Sequence, residues 1–215
     1  GEVLISDTGN DRVIIVDRET GEVVWSSDWV EMSDGSRLRY PNDADWVGEG
    51  RILITDRDNH RVLEIDLDGN VLWQFGETGV PGSDGSHLRF PHNADRLPNG
   101  DTIVCDSENG RVVEVDPSGR VVWEYTGLDW PRDADRLPDG STLIVESGAG
   151  RVILVGPDGS ILWSLEGLSL PYDADALPDG SVLISESGRG RVLLVRDGQV
   201  LWDFSVEGIS GLLGP

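Results

Sequence analysis

The hydrophobic residues of this chain fall into short runs, not into long stripes. Runs rich in Val, Ile and Leu, such as Thr102–Cys105, are separated by turns that contain Gly, Asp or Asn. The 3.6-residue spacing of an amphipathic helix is absent from the chain. Short β-branched runs bounded by such turns are typical of antiparallel strands joined by hairpins. The pattern therefore predicts an all-β protein.

These runs recur in a unit of roughly 40 residues, and a repeat of that length decides the whole fold. Four units begin with the motif Pro-x-(Asp/Asn)-Ala-Asp, which starts at Pro41, Pro91, Pro131 and Pro171. The same acidic position recurs at Asp7, Asp56, Asp106, Glu146 and Glu186. An Arg-Val pair follows it at Arg12, Arg61, Arg111, Arg151 and Arg191. Each unit closes on a tryptophan, namely Trp25, Trp73, Trp123, Trp163 or Trp202.

One four-stranded unit of this kind has two faces to bury and cannot bury them alone. Packing copies side by side around an axis buries both faces, so the sequence predicts a five-bladed β-propeller, with a β-solenoid as the disfavoured competitor. Gly1 aligns with Gly100, so the first unit lacks its innermost strand, and we expect a strand near residues 209–213 to complete that blade and close the ring. A fragment of a larger ring is the alternative. We predict one domain with units at about 1–40, 41–90, 91–130, 131–170 and 171–215.

The composition is strongly acidic, with 40 Asp and Glu against 17 basic residues, all of them arginine, and a net charge of −23. A polyanionic surface repels nucleic acid and anionic membranes, so neither is an expected partner. No apolar run reaches the ~20 residues that cross a bilayer, which argues against membrane insertion. Acid in every repeat without lysine is typical of proteins from salt-loving organisms, and a GC-rich genome is the alternative explanation.

Two parts of the chain resemble known propeller repeats. The segment 52–62, which reads Ile-Leu-Ile-Thr-Asp-Arg-Asp-Asn-His-Arg-Val, and the segment 75–79 resemble an NHL repeat. The later units, with Asp-Ala-Asp-Arg-Leu-Pro-Asp-Gly at 133–140 and a terminal tryptophan, resemble the arylsulfotransferase-like group. The resemblance implies the propeller fold, and it leaves activity open because NHL propellers include binding proteins and lyases. Arylsulfotransferase-like enzymes use a channel histidine with nearby basic residues, and His92 with Arg132 is the matching pair here.

The Asp-x-Asp part of the motif is a candidate metal site. Residues two apart on a strand point to the same side, so Asp43, Asp133 and Asp173 would each face one way together with the second aspartate of their motif. A ring of carboxylates at the central channel could hold Ca²⁺, which prefers oxygen ligands. The alternative is that each aspartate accepts a backbone N–H bond from the neighbouring blade. No other cofactor is indicated.

One position in the motif varies between units, which is more typical of a binding site than of a scaffold. It follows the proline and is occupied by Asn42, His92, Arg132 and Tyr172. The position four residues further along adds Arg96 and Arg136. We expect these six residues near one mouth of the channel, where they could bind an anion or another small ligand.

Residues that recur in every unit are interpreted as scaffold. The repeated acid and its arginine are expected to bracket a hairpin and to satisfy loop amides. The tryptophans are expected to pack between blades. Two near-identical long linkers, Ser33–Tyr40 and Ser83–Phe90, make one sector of the ring different, and loops of that kind are where binding develops. Cys105, the one cysteine, is interpreted as a small buried strand residue.

The function that these observations favour is non-catalytic: a monomeric scaffold that binds a protein, a glycan or a small ligand at one rim or at the channel mouth. The first alternative is an enzyme at the channel mouth, with sulfuryl transfer or a lyase or hydrolase reaction. The second is an engineered or evolutionary example of repeat amplification. An extracellular or cell-surface location is slightly favoured over the cytoplasm of a halophile.

Overall fold

A computed structural model describes residues 1–205, which form nineteen β-strands and four short 3-10 turns. Strands β1–β3 are Glu2–Asp7, Arg12–Asp17 and Val23–Ser26. Strands β4–β7 are Pro41–Gly48, Arg51–Asp56, Arg61–Asp66 and Val71–Phe75. Strands β8–β11 are Ala94–Arg96, Thr102–Asp106, Arg111–Val115 and Val121–Thr126. Strands β12–β15 are Pro131–Arg136, Thr142–Glu146, Arg151–Val155 and Ile161–Leu165. Strands β16–β19 are Pro171–Ala176, Val182–Glu186, Arg191–Arg196 and Gln199–Ser205.

Each group of strands forms one antiparallel sheet in which neighbours in sequence are neighbours in space. Four sheets have four strands, and the first has three strands within residues 1–205. The Pro-x-(Asp/Asn)-Ala-Asp motif supplies the first strand of a sheet, and the closing tryptophan lies in the last. The all-β prediction and the five propeller blades are therefore confirmed. The strand expected near residues 209–213 lies outside the described residues.

The chain divides into two compact units, Gly1–Glu124 and Tyr125–Pro215. The 3-10 turns, at Thr8–Asn10, Arg57–Asn59, Ser107–Asn109 and Ser187–Arg189, each connect the two strands of a hairpin. Within residues 1–205 no helix is long and apolar enough to span a membrane.

Strand β5 shows why each sheet needs a neighbour on both faces. Ile52 and Ile54 pack into a core cluster that also contains Val13 of the first sheet. Leu53 points to the other face and packs with Val104 of the third sheet. Successive side chains of a strand alternate between faces, so a strand buried on both faces is hydrophobic at every position. Each fully buried aliphatic side chain contributes about 1.5–3 kcal/mol.

The tryptophans and the long linkers extend these cores. Trp25 packs against the first cluster and donates its indole N–H to the carbonyl of Leu67 in the next sheet, at 2.9 Å. This contact agrees with the wedge position expected for the repeated tryptophans. The first linker adds Leu38 to the first cluster, to which Met32, just before the linker, also belongs, and the second linker adds the fully buried Leu88 to the second cluster. The linkers are thus anchored parts of the fold.

Candidate functional site

The repeated acid and arginine form an ion pair at the same hairpin of every sheet. The N···O distances are 2.7 Å for Arg12–Asp7, 2.8 Å for Arg61–Asp56, 2.7 Å for Arg111–Asp106 and 2.6 Å for Arg151–Glu146. Arg191 pairs with Glu186 in the same way. These hairpins lie at one end of the strands of each sheet, together with the linkers that lead into the motif prolines. We call this end of the sheets the linker rim.

The same carboxylates hold the linkers in place. Asp56 Oδ1 accepts the backbone N–H of Arg39 at 2.7 Å, and Asp106 Oδ1 accepts that of Arg89 at 2.7 Å. In the second unit, Glu146 Oε1 accepts the backbone N–H of Asp129, also at 2.7 Å. A carboxylate that accepts both a guanidinium and an amide is satisfied on both oxygens. The scaffold role predicted for the repeated acid is confirmed by these contacts.

Arg61 is the most heavily bonded of these arginines. Its side chain is fully buried, and its Nη1 donates to Asp34 of the first linker at 2.8 Å and to Thr78, in the segment after β7, at 2.9 Å. Its Nη2 donates to Ser36 at 2.7 Å. A guanidinium carries five donors in a fixed planar fork, and here that fork ties the first long linker and the segment after β7 to the second sheet.

The residue before each motif proline has a left-handed backbone. The φ angles are 52° at Tyr40, 49° at Phe90, 56° at Trp130 and 46° at Leu170. Bulky residues rarely adopt positive φ, and such conformations persist only where surrounding contacts enforce them. At Tyr40 the backbone N–H donates to Asp11 Oδ1 at 2.7 Å. At Phe90 the backbone N–H donates to a ring nitrogen in the preceding blade.

That ring nitrogen is His60 Nδ1, at 3.2 Å from the amide nitrogen of Phe90. Because Nδ1 accepts this bond, the neutral imidazole carries its proton on Nε2. Burial lowers the pKa of His60, and the positive charges of Arg39, Arg57 and Arg89 lower it further against the opposing effect of Asp58. His60 is therefore held neutral as a structural acceptor.

An arginine–aromatic cluster forms where the two linkers end. The Arg57 guanidinium lies 5.2 Å from the ring centroid of Tyr40 and 4.9 Å from that of Phe90. His60 meets Phe90 edge-to-face, with the ring centroids 4.4 Å apart. Arg57 also pairs with Asp58 at 2.7 Å. The cluster therefore joins the ends of both long linkers through cation–π contacts.

A cleft of about 930 Å³ opens beside this cluster, on the side of the first sheet. Its walls are the hairpin residues Asn10 and Asp11 and the linker segments 27–32 and 35–39. Trp29 lines the cleft and is 61% exposed. This volume lies within the range of ligand sites in proteins, about 300–1,000 Å³.

The first aspartate of the motif contacts the next sheet in both units. Asp43 Oδ2 accepts the backbone N–H of Ala94 at 3.4 Å, and Asp133 Oδ2 accepts that of Ala174 at 3.0 Å. These bonds agree with the alternative to a calcium site, in which each aspartate accepts a backbone N–H bond from the neighbouring blade. Among residues 1–205 no group of three or more Asp, Glu, His or Cys side chains is arranged to hold a metal ion. The Ca²⁺ site at Asp43, Asp133 and Asp173 stays a prediction.

The carboxyl groups of the motif have raised pKa values at Asp43 and Asp173. Burial, with the neighbouring charges of Asp45 and Asp95, raises the pKa of Asp43 to about 8. Burial, with the charge of Asp175, also raises the pKa of Asp173. Desolvation disfavours the charged carboxylate, so Asp43 is protonated in the folded protein at neutral pH.

In the first unit, the predicted ligand-binding residues differ in their surroundings. Asn42 is half-buried on β4, and His92 is 8% exposed, with its backbone N–H bonded to the carbonyl of Cys105 at 2.9 Å. His92 precedes strand β8, whereas Arg96 is the last residue of that strand. Its guanidinium pairs with Glu64 at 2.8 Å, donates to the carbonyl of Gly100 and stacks on Trp73.

In the second unit, the structure does bring slot residues together. The Arg132 guanidinium lies 4.1 Å from the ring centroid of Trp130 and 4.8 Å from that of Tyr172. Arg136 donates to the carbonyl of Gly140 at 3.0 Å. His92 and Arg132 belong to different units. Ligand binding by the six slot residues, and catalysis by His92 with Arg132, stay predictions.

Tyr40, Arg57 and Phe90 are not predicted as a site by the sequence patterns described above. A signal was available, because the residue before every motif proline is large: Tyr40, Phe90, Trp130 and Leu170. Arg57 could not be found that way, because its contacts with two rings depend on how neighbouring blades pack.

The sheets define the chain as a β-propeller, and comparisons with known proteins place it in a family. A family model described as outer membrane protein assembly factor BamB, PQQ_2, matches residues 1–138. That match spans more than half of the chain, so the chain belongs to this family. The resemblances to NHL repeats and to arylsulfotransferase-like repeats stay predictions. A search of the curated proteins gave no match.

Solved structures with the same fold include two kinds of protein. A protein of unknown function from Bacteroides caccae shares 19% identity at a TM-score of 0.72, with 98% of this chain and 74% of that chain covered. A streptogramin B lyase shares 12% identity at a TM-score of 0.68, with 96% of this chain and 65% of that chain covered. Virginiamycin B lyase from Staphylococcus aureus shares 13% identity at 0.67, with 96% and 67% covered. The chain thus spans about two thirds of the length of these lyases, and the likeness is one of fold.

Proposed function

We propose that this chain is a non-catalytic, protein-binding β-propeller that presents the linker rim of its first unit to a partner. The observation that carries the proposal is the open cleft of about 930 Å³ on that rim, with the exposed Trp29 in its wall. Exposed aromatic side chains beside a cleft are typical of protein interfaces, where Trp, Tyr and Arg are the residues that contribute most.

The family supports a binding role. Its model is described as an assembly factor for outer membrane proteins, and a factor of that kind works by contacting other proteins. By analogy we place this chain outside the cytoplasm, in the periplasm or at the cell surface. The analogy concerns the kind of function and does not name the partner.

The contacts of the candidate catalytic residues favour a structural role over catalysis. His92 is buried, and the guanidinium of Arg132 lies over the rings of Trp130 and Tyr172. A nucleophilic histidine needs an open path to its substrate, and a cationic partner needs a guanidinium that is free to meet an anion.

Photo-crosslinking tests the proposal. A photoreactive phenylalanine analogue at Trp29 is expected to crosslink a partner in cells of the source organism. The same analogue at Glu49 is the matched control and is expected to give no crosslink. Glu49 is exposed and lies in the turn between β4 and β5, at the end of the second sheet opposite the linker rim. Crosslinks from Glu49 and none from Trp29 would overturn the choice of rim.

A turnover screen tests the non-catalytic part. Aryl sulfates, streptogramin B and virginiamycin B are expected to remain unchanged with the purified protein. Turnover of any of these substrates that is abolished in His92→Ala, with the unfolding transition preserved, would replace the binding proposal with the enzyme.

A further inference from the structure

The arginines at the ends of the two long linkers differ from most others in the chain. Elsewhere an arginine of the repeat is paired with the acid of its own hairpin, as Arg61 is with Asp56 and Arg111 with Asp106. Arg39 and Arg89 are exposed, and within residues 1–205 neither has a carboxylate within ion-pair distance. Most other arginines of this molecule, whose net charge is −23, are paired with a carboxylate; Arg37, in the first linker, is likewise exposed and has no ion pair within residues 1–205.

The two arginines occupy matching places in the near-identical linkers. Arg39 precedes Tyr40, and Arg89 precedes Phe90. Both aromatic rings contact the same guanidinium, that of Arg57, at 5.2 and 4.9 Å. Arg57 therefore lies between the two linker ends, and the three positive charges converge on one part of the rim.

The backbone holds this arrangement in place. The N–H groups of Arg39 and Arg89 are bonded to Asp56 and Asp106, each at 2.7 Å. The next residue in each linker is fixed in the left-handed region by a side chain of the preceding hairpin. Besides Asp56 and Asp106, which pair with Arg61 and Arg111, the local negative charges include Asp58, which pairs with Arg57, and Asp11, which bonds the Tyr40 amide. Neither is within ion-pair distance of Arg39 or Arg89.

We propose that the arginine–aromatic cluster of Arg39, Tyr40, Arg57, Arg89 and Phe90 binds an acidic segment of the partner protein, with its carboxylates on the arginines and its apolar side chains against the two rings. This inference rests on the proposed function and adds the chemistry of the partner.

A polypeptide fits this surface better than a small free anion does. The guanidinium groups are exposed, and one exposed ion pair changes an affinity by about fivefold at most. A single small anion would gain one or two such contacts and would stay weakly bound. A segment with several carboxylates gains all of them at once and adds apolar contact with the rings.

The net negative charge of the protein does not prevent this binding. At physiological ionic strength the screening length is about 8 Å, so distant carboxylates of the propeller act only weakly on a segment at the rim. Charges at contact distance are screened much less. The affinity is therefore expected to fall as salt is added, because the attraction at the cluster is itself electrostatic.

Fluorescence anisotropy with a labelled peptide of alternating Glu, Asp and Phe tests the inference on the full chain. The double variant Arg39→Ala/Arg89→Ala is expected to weaken binding about tenfold, as two exposed ion pairs are lost. Arg18→Ala is the matched control. Arg18 is exposed, lies in the turn between β2 and β3 at the end of the first sheet opposite the linker rim, and has no ion pair within residues 1–205. It is expected to bind as the parent does.

Further peptides and anions complete the test. The parent protein is expected to bind a peptide with Gln and Asn in place of Glu and Asp no more tightly than the double variant binds the acidic peptide. Phosphate and citrate, each at the peptide's concentration, are expected not to displace it. Loss of binding in Arg18→Ala equal to that in the double variant, or full binding in the double variant, would overturn the inference, and displacement by phosphate would make the site one for small anions.

The two proposals can fail separately. If Trp29 crosslinks a partner but the acidic peptide does not bind, the rim is correct and the acidic chemistry is wrong. If the peptide binds through Arg39 and Arg89 but the crosslinks come from Glu49, the cluster is an acidic-peptide site and the proposed function is wrong.

Discussion

The first and second sheets carry the same acid–arginine motif in very different surroundings. In the first sheet, Arg12 pairs with Asp7 at 2.7 Å, and their side chains are 30% and 23% exposed. In the second sheet, Arg61 pairs with Asp56 at 2.8 Å, and both side chains are fully buried. The ion-pair distance is nearly equal in the two sheets, and the burial is not.

The first long linker accounts for much of that difference. It supplies Arg61 with Asp34 and Ser36 as further acceptors, and Thr78, in the segment after β7, supplies another. In the part of the chain that the structure describes, Arg12 has Asp28 as its one additional ionic neighbour, at 3.8 Å. An ion pair at the surface contributes little, whereas breaking a buried pair leaves an uncompensated charge in the core. One motif therefore performs two energetic roles in the same chain.

The largest expected effect follows from removing the buried guanidinium. Arg61→Ala is expected to lower the free energy of unfolding by about 3–5 kcal/mol, because Asp56 stays buried without its partner. Burial already raises the pKa of Asp56, and Arg61 opposes that rise. Urea unfolding measures the change. Arg12→Ala is the matched control and is expected to cost less than about 1 kcal/mol; equal losses would break the comparison between the two sheets.

The second sheet is also expected to make the stability depend on pH. The pKa of Asp43 is about 8 in the folded protein and ordinary, about 4, in the unfolded chain, so the folded state binds the proton more tightly between these values. This contribution is complete below pH 4 and is lost as the pH rises through 8. Urea unfolding at pH 6 and pH 9 should show the loss, and Asp43→Asn should reduce it; an unchanged slope in the variant would assign the effect to other groups.

The two linkers provide a sharper test of what covers Arg61. Asp34→Ala removes a carboxylate from Arg61 and is expected to cost about 1 kcal/mol, since a hydrogen bond to a charged group is lost at a partly exposed position. Asp84→Ala, at the matching place in the second linker, is the control. Arg111 contacts Asp84 only through the backbone carbonyl, at 3.1 Å, so this variant is expected to leave the Arg111 contacts intact. Urea unfolding of both variants distinguishes them.

The smallest expected effect concerns His87 in the second linker, for which the first linker has Arg37. Hydrogen bonds to Asp84 and Glu77 raise the pKa of His87. The stability that this group adds is present below its ordinary pKa and is lost as the pH rises through the raised value. An NMR titration should place the pKa above 6.5, and Asp84→Asn should lower it. An ordinary value in the parent protein would show that these contacts do not persist in solution.

The fold was predictable because its signals are local and repeated. The alternation of Ile52, Leu53 and Ile54 and the turns around them indicate a strand buried on both faces, and the motif prolines define where each sheet begins. The ion pair between Asp56 and Arg61 was predictable for the same reason, since both residues flank one hairpin. Repetition makes each such inference stronger, because every unit must satisfy the same geometry.

The candidate site was much less predictable, because it depends on contacts between blades. Variation in the slot after the proline suggested His92, and variation four residues further along suggested Arg96; His92 precedes strand β8, and Arg96 ends it. The residue before the proline was not predicted as part of a site, although the rings of Tyr40 and Phe90 both contact the guanidinium of Arg57. Those three residues are far apart in sequence, and no periodic pattern connects them.

The sequence by itself determined the strands, the hairpins and the acid–arginine pairs, because each depends on residues within a few positions of one another. Only the tertiary structure decided which of the five equivalent pairs are buried and which arginines have no carboxylate partner among residues 1–205. Burial and pairing depend on what neighbouring blades and linkers cover. Arg61 and Arg12 occupy the same position in the repeat, and what covers each of them is set by chain that lies outside the motif.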